Sequence, residues 1–217
     1  MTLFLTFVVP QSKKNAVIFL SLILIGLIIF SITFYRDPER SIPNEKGIII
    51  SPADGKIMSI DTVKVGEVPF TIKNGKIINL PELKGIIEAN YTMVSIFMGP
   101  FDVHVNRSPI SGQVIDIIYI EGGHSPAFGE VFTENERNIV VIDGEIRAVT
   151  IQIAGTVARR IDCYVEEGQN ISIGDKIGII KLGSQVVIIY PSDSSTIIKE
   201  GDRVKAGETI IAKFNLD

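Results

Sequence analysis

The stretch EEGQNISIGDKIGII at 166–180 returns as KEGDRVKAGETIIAK at 199–213, and the reading of this pair decides the fold. Laid together, the copies match Gly168 with Gly201, Gly174 with Gly207 and Asp175 with Glu208. Glycine reaches backbone conformations that a Cβ forbids, so each copy reads as short strands joined by tight turns. Two copies do not make a solenoid.

The same texture extends outward. After Pro38 the chain runs in short stretches of Ile, Val, Phe and Thr bounded by Gly, Asn, Asp and Pro, which reads as β structure. Strands are expected at 47–51, 55–65, 91–98, 112–120, 138–142, 146–153, 157–165, 177–182, 185–190, 195–199 and 208–214, with turns such as Asn74-Gly75 and Asp143-Gly144 between them. Beyond the N-terminal region no long segment has helical periodicity. EGGHSPAFGEVFTENERN, from Glu121 to Asn138, is the least regular stretch, and irregular loops of that length are often functional. The cadence of the repeat is similar to that of lipoyl- and biotinyl-type barrel-sandwich domains. The expected fold is therefore mainly β, a barrel-sandwich-like domain; the likeness speaks to fold and not to activity.

At 217 residues and 46% hydrophobic content, the chain supports one domain with a sizeable core. The net charge is -4, with no long basic block, so there is no electrostatic footprint for nucleic acid. Cys163 is the only cysteine, which excludes an intrachain disulfide and a Cys-based zinc cluster; it reads as a small core residue.

The outlying segment is AVIFLSLILIGLIIFSITFY, Ala16 to Tyr35, uncharged and long enough to cross a bilayer. A signal peptide is the competing reading, but the run is long for one and no small-x-small site precedes Arg36-Asp37-Pro38-Glu39-Arg40. The expected organisation is a retained membrane anchor over 1–36 and a domain over 37–217. Lys13 and Lys14 on one side balance Arg36 and Arg40 on the other, so the positive-inside rule leaves the side open. The lone cysteine suits the cytoplasmic face of the cell membrane.

Gly183-Ser184, in Lys181-Leu182-Gly183-Ser184, is an ordinary turn dipeptide by itself. Its setting is less ordinary, because it interrupts two apolar runs, IGIIKLG and SQVVIIYP, that both read as buried strands. KLGS followed by an apolar strand and a proline is similar to the processing motif of the phosphatidylserine decarboxylase proenzyme family. Other blocks match in order: RDPER at 36–40, SPADGKI at 51–57, FDVHVNRSPISG at 101–112, NER at 135–137 and QIAGTVARRI at 152–161. Together they span nearly all of the chain after the anchor and look most like the short bacterial and archaeal subgroup.

The resemblance implies a pyruvoyl-dependent lyase that makes its own cofactor. Ser184 Oγ attacks the Gly183 carbonyl to give an ester, elimination leaves dehydroalanine, and hydrolysis yields a covalent pyruvoyl group at 184. Fragments 1–183 and 184–217 then stay paired. The pyruvoyl group forms a Schiff base with phosphatidylserine and acts as the electron sink for loss of carbon dioxide, giving phosphatidylethanolamine. No diffusible cofactor or metal is implied. The partners implied are the phospholipid substrate, the bilayer and a possible second copy. Archaetidylserine, with isoprenoid ethers, is an alternative substrate of the same headgroup chemistry.

The same resemblance points to His104 as the base, for which an imidazole pKa of about 6.5 is suited; a structural histidine is the plainer reading. Longer relatives carry a second histidine three positions later, where this chain has Arg107, so the base that activates Ser184 is His104 or another group. Asp54 matches the aspartate of the family relay and also reads as an Asp-Gly turn residue. His124, in the irregular loop, reads as solvent-exposed. Arg107, Arg159 and Arg160 are candidates for the substrate phosphate, since guanidinium forks match phosphate oxygens. One of the adjacent pair should face solvent, because neighbouring strand positions point to opposite faces. Phe128, Val131 and Phe132 could enter the bilayer interface or pack in the core.

Three rivals are weaker. A membrane-fusion adaptor would need a coiled-coil hairpin that is not visible. A lipoyl or biotinyl carrier would need its lysine at a hairpin tip, and Lys176 is a poor match. A zinc peptidase would need more ligands than two isolated histidines.

Overall fold

A computed structural model describes residues 11–65, 67, 70–73, 76–83, 85–86, 89–122, 135–155, 160–181 and 184–216. The apolar run forms helix α1 (Gln11–Phe34), whose 24 residues give a rod of ~36 Å, enough for a hydrocarbon core of ~30 Å. Lys13–Phe34 is the part apolar enough to cross a membrane, and almost none of it is covered by the rest of the chain. The hydroxyls of Ser31 and Thr33 donate to the carbonyls of Leu27 and Ile29, both at 2.8 Å, so these polar groups are satisfied within the helix.

The remainder is β structure, because β-branched side chains dominate and turn residues break the runs before any helix can form. In chain order the strands are β1 (Ile48–Ile50), β2 (Gly55–Val63), β3 (Phe70–Lys73), β4 (Lys76–Asn79), β5 (Tyr91–Met98), β6 (Val105–Arg107), β7 (Gly112–Ile120), β8 (Arg137–Asp143), β9 (Arg147–Ile153), β10 (Arg160–Cys163), β11 (Asn170–Ile171), β12 (Lys176–Lys181), β13 (Ser184–Pro191), β14 (Ser195–Thr196), β15 (Arg203–Val204) and β16 (Ile210–Lys213). A single 3-10 turn, Pro81–Leu83, precedes β5. The expected mainly β fold behind an apolar helix is what forms.

Eight strands make one sheet in the order β11-β7-β8-β9-β13-β5-β2-β15, and two three-stranded sheets, β1-β16-β14 and β10-β12-β6, complete the wrap. Ile57, Val94, Ile96, Val140, Ile142, Val186, Ile188, Ile177 and Ile211 belong to the core enclosed by these sheets. The opposite face of the large sheet buries Met93, Ile139, Ile151 and Val187 with Leu80 and Leu83. Its central strands are thus covered on both faces, which is why they read as continuous apolar runs.

The strand order is palindromic, and the chain explains it as two copies of one unit. The second copy, β6–β12, is inserted into the first, which consists of β1, β2, β5 and β13–β16. The loop Ser51-Pro52-Ala53-Asp54-Gly55 repeats as Ser108-Pro109-Ile110-Ser111-Gly112. Ser51 Oγ donates to the Ala53 carbonyl at 2.7 Å, and Ser108 Oγ donates to the Ile110 carbonyl at 2.6 Å. The amide of Arg107 donates to Pro52 O and that of Ile50 to Pro109 O, so each copy reaches into the other. Gly207 N donates to Ser51 O and Gly174 N to Ser108 O, both at 2.9 Å. Even the bulges correspond, falling at Ile57/Ser59 in β2 and Val114/Asp116 in β7. A Cβ on Gly55 would lie 2.2 Å from the Phe97 carbonyl oxygen, and one on Gly112 would lie 2.4 Å from that of Asp143. The glycines let adjacent backbones touch.

The repeat at 166–180 and 199–213 is therefore half of a larger duplication. β6, β11 and β15 are not among the expected strands, since each is short and owes its pairing to a strand distant in sequence; the β3–β4 hairpin, also not among them, is short and pairs only within itself. The Asn74-Gly75 turn, most of the irregular loop and the first part of the strand expected at 157–165 lie outside the described residues.

Candidate active site

The duplication places the Gly183-Ser184 bond at a particular spot: where the chain leaves the second copy at β12 and re-enters the first at β13. Ser184 opens β13 opposite Met98 of β5. From Gln185 onward β13 is also paired with β9, and its residues 185–190 are buried. Leu182, Gly183 and the Ser184 side chain lie outside the described residues.

His104 is fully buried on the loop between β5 and β6. A turn shapes that loop: Asp102 N donates to Gly99 O at 3.0 Å, and Gly99 N donates to Asp102 Oδ2 at 2.8 Å. Two residues on, His104 Nδ1 lies 2.9 Å from the Asp102 carbonyl oxygen. A carbonyl only accepts, which assigns the proton to Nδ1 and leaves Nε2 as the basic nitrogen. Nε2 is buried and has no hydrogen-bond partner among the described residues. Burial holds the imidazole below its ordinary value, while the Asp102 carbonyl and carboxylate and the Asp54 charge oppose that shift and Arg36 adds to it. The His104 carbonyl accepts from Ile180 N at 3.3 Å, tying the loop to the strand that runs into the Gly183-Ser184 bond.

Asp54 is half-buried. Its oxygens lie 2.9 and 3.0 Å from an Arg40 nitrogen, and Oδ1 also accepts from Ala206 N at 2.8 Å. Its bonds are thus to Arg40 and the backbone, and its charge acts on His104 through space. In the other copy Ser111 Oγ accepts from Ile173 N at 2.9 Å in the corresponding place. Accepting a backbone amide is the task common to both copies; the carboxylate is particular to one.

The arginines separate. Arg107 is buried, donating to Gly174 O at 3.0 Å and to Asp37 Oδ1 at 2.7 Å. Burial works against the Asp37 carboxylate, but Lys176 and Arg107 outweigh it and hold its pKa below the usual range. Arg160 is exposed on β10 and paired in register with Lys181, two residues before Gly183. Arg159, His124, Phe128, Val131 and Phe132 lie outside the described residues.

The remaining blocks lock the frame. Asn135 Nδ2 donates to Ala154 O; Glu136 Oε1 accepts from Ile161 N and the Tyr119 hydroxyl; buried Arg137 pairs with Glu82. Burial and the Glu136 contact raise the Tyr119 pKa. Sequence reasoning passed over a buried amide chain in which Asn138 Nδ2 donates to Gln152 Oε1 at 2.9 Å and Gln152 Nε2 to Asn106 Oδ1 at 2.8 Å. Asn106 Nδ2 in turn faces Met98 Sδ at 3.7 Å, on the residue opposite Ser184. The signal available was polar residues inside otherwise apolar strands, Gln152 above all. Phe34, which stacks on His104, gave no signal because it hides in a uniformly apolar run. Among the described residues no group of three or more His, Cys, Asp or Glu side chains is placed to hold a metal ion.

The β domain follows a helix long and apolar enough to cross a membrane, and a buried imidazole sits on a loop bonded to the strand that precedes Gly183. Residues 27–212 match the family described as Phosphatidylserine decarboxylase, and the chain belongs to that family of decarboxylase proenzymes. It is 44% identical over 92% of its length to a protein of Methanocaldococcus jannaschii named as an archaetidylserine decarboxylase proenzyme, covering 97% of that protein. A namesake from Methanothermobacter thermautotrophicus is 41% identical over 90% of this chain and 86% of its own. A phosphatidylserine decarboxylase proenzyme of Chlorobaculum tepidum is 42% identical over 87% of this chain and 80% of its own.

Proposed function

We propose that this chain cuts itself between Gly183 and Ser184 and then converts phosphatidylserine to phosphatidylethanolamine and carbon dioxide. The observation that carries the reading is His104 Nε2: basic, buried, without a partner among the described residues, and on a loop bonded to the strand that leads into the bond. In this scheme Ser184 Oγ attacks the Gly183 carbonyl while His104 takes the hydroxyl proton, and the amide becomes an ester. Loss of the Ser184 α-proton breaks the Cβ–O bond and frees fragment 1–183 as a carboxylate. Hydrolysis of the dehydroalanine releases ammonia and leaves a pyruvoyl group at 184.

That group supplies the electron sink for decarboxylation. An unpartnered basic nitrogen in its neighbourhood fits such a site. His104 Nε2 holds the proton that the product carbon needs once carbon dioxide has left. Asp54, through its charge, favours the imidazolium when that proton arrives. Arg160, exposed on β10, is the candidate for the phosphodiester, with Arg159 its neighbour in sequence; Lys181 beside it is paired with Asp162, and Arg107 reaches a phosphate only by giving up Asp37.

The palindromic sheet supports fragments that stay together. β13 pairs with β5 and β9, β15 with β2, and β16 with β1, so 184–217 is stitched into 1–183 along several strands. α1 tethers the domain, on the cytoplasmic face, where a substrate with two acyl chains already resides.

Archaetidylserine is the second reading, favoured by the 44% identity to the Methanocaldococcus protein over nearly all of both chains. Parallel assays on ester- and ether-linked lipids separate the two.

Self-processing is checked on a denaturing gel with intact mass. A small fragment beginning at 184 with a carbonyl in place of an amine is expected, and Ser184→Ala abolishes it. A wild-type chain that stays whole and inactive on both lipids would sink the proposal.

A further inference from the structure

Phe34 ends α1, yet it is only 1% exposed while most of that helix is bare. Its ring lies against the His104 imidazole with centroids 3.9 Å apart and planes 29° apart. Phe30 packs on Phe34 at 5.6 Å and Tyr35 meets it edge-on at 5.2 Å. The residues that follow grip the same site: Arg36 donates to the Phe101 carbonyl, Asp37 pairs with Arg107 and Lys176, and Arg40 pairs with Asp54.

A single hydrogen bond from Nδ1 fixes one edge of the imidazole and leaves the ring free to swing about it. A flat aromatic face removes that freedom and denies water access to the ring. We propose that Phe34 is a positioning residue for His104, so that the membrane helix completes the active site it tethers. This rests on His104 being the base of the proposed reaction. Burial keeps Nε2 unprotonated and able to accept. The charges that act on the ring are Asp102 from its own turn, Asp54 from the loop between β1 and β2, and Arg36 from the end of the anchor.

The test uses full-length protein in lipid nanodiscs with Ser184→Ala to keep the chain whole, and His124→Gln to leave one imidazole signal. Titrating His104 by NMR, Phe34→Ala is expected to move the midpoint up toward the ordinary imidazole value. Phe34→Tyr, which keeps the ring, restores the wild-type midpoint, and Ile32→Ala on the bare side of α1 leaves it alone. Should Phe34→Ala not fold, Phe34→Leu keeps apolar bulk without a stacking face and is read the same way. With Ser184 present, the same variant lowers kcat roughly tenfold, with the acid limb of the pH profile displaced upward. An unmoved midpoint overturns the role of Phe34. A midpoint that moves while self-cleavage and turnover stay unchanged overturns the positioning role and His104 as base together, leaving the serine chemistry to stand or fall on the gel.

Discussion

At Asp54 and at Ser111 the two copies of the β unit meet the same backbone demand with different side chains. Each accepts an amide proton from the glycine turn that closes its copy, Ala206 in one case and Ile173 in the other. The carboxylate adds a charge that binds Arg40 and acts on His104. The same divergence recurs nearby. Gly47 stands before β1 where His104 stands before β6, and Ile146 lies in the turn before β9 while Ser184 opens β13. Gly47, Ser111 and Ile146 line one pocket with Ile110, Ile173 and Phe214, and with the charged Glu45, Lys46 and Glu145; it lies where the duplication puts the counterpart of the proposed site, without a histidine or an aspartate. Residues that agree between the copies build the fold; His104, Asp54 and Ser184, the residues of the proposed site, are among those that differ.

The sharpest way to break the comparison is to remove a group that only one copy carries. His104→Gln removes the base while keeping a polar side chain, and turnover or maturation should fall by about 10²-fold or more. Unchanged rates of both, measured by release of labelled carbon dioxide and by the gel, would return His104 to a structural role.

Next in size are the shared glycines. Gly55→Ala and Gly112→Ala each force a Cβ onto a carbonyl oxygen, at 2.2 and 2.4 Å, and each should cost about 3 kcal/mol in denaturant unfolding. Similar losses in both copies support a common scaffold; a loss in one alone would show that the duplication is not mechanically equal.

Asp54→Ser keeps the amide acceptor and deletes the charge, leaving Arg40 with a weakened set of partners. Stability should fall by roughly 2 kcal/mol, with slower maturation. The reverse exchange, Ser111→Asp on an exposed residue, should stay within about 0.5 kcal/mol and confer no activity.

The smallest effect is with pH. Burial lowers the His104 pKa in the folded state, so the unfolded chain binds more protons in the window between the folded value and 6.5. This group's contribution to stability therefore falls as pH drops from 6.5 toward the folded value. Comparing denaturation curves of the Ser184→Ala chain with and without His104→Gln isolates that slope.

Much of this was legible in residues because it is local. Alternating and continuous Ile/Val runs gave most strands, and an uncharged run gave the helix. The glycines of 166–180 and 199–213 signalled half of the duplication, and the other half was equally visible in SPADG and SPISG. The three-residue strand β6 was not legible: Asn106 and Arg107 look like loop residues until Gln152 and Asp37 meet them. Nor was Asp54's tie to Arg40, because the partners lie on separate segments.

By itself the sequence determined the β unit, its long apolar helix and the ordered blocks that carry the resemblance, since side-chain size, branching and glycine placement act between neighbours. Only the tertiary structure decided that the second copy of that unit runs through β12 into β13 of the first, and that His104, under Phe34, keeps its basic nitrogen without a partner among the described residues. Those facts depend on which groups burial brings together and which it leaves without a partner, and that is a property of packing across the whole chain.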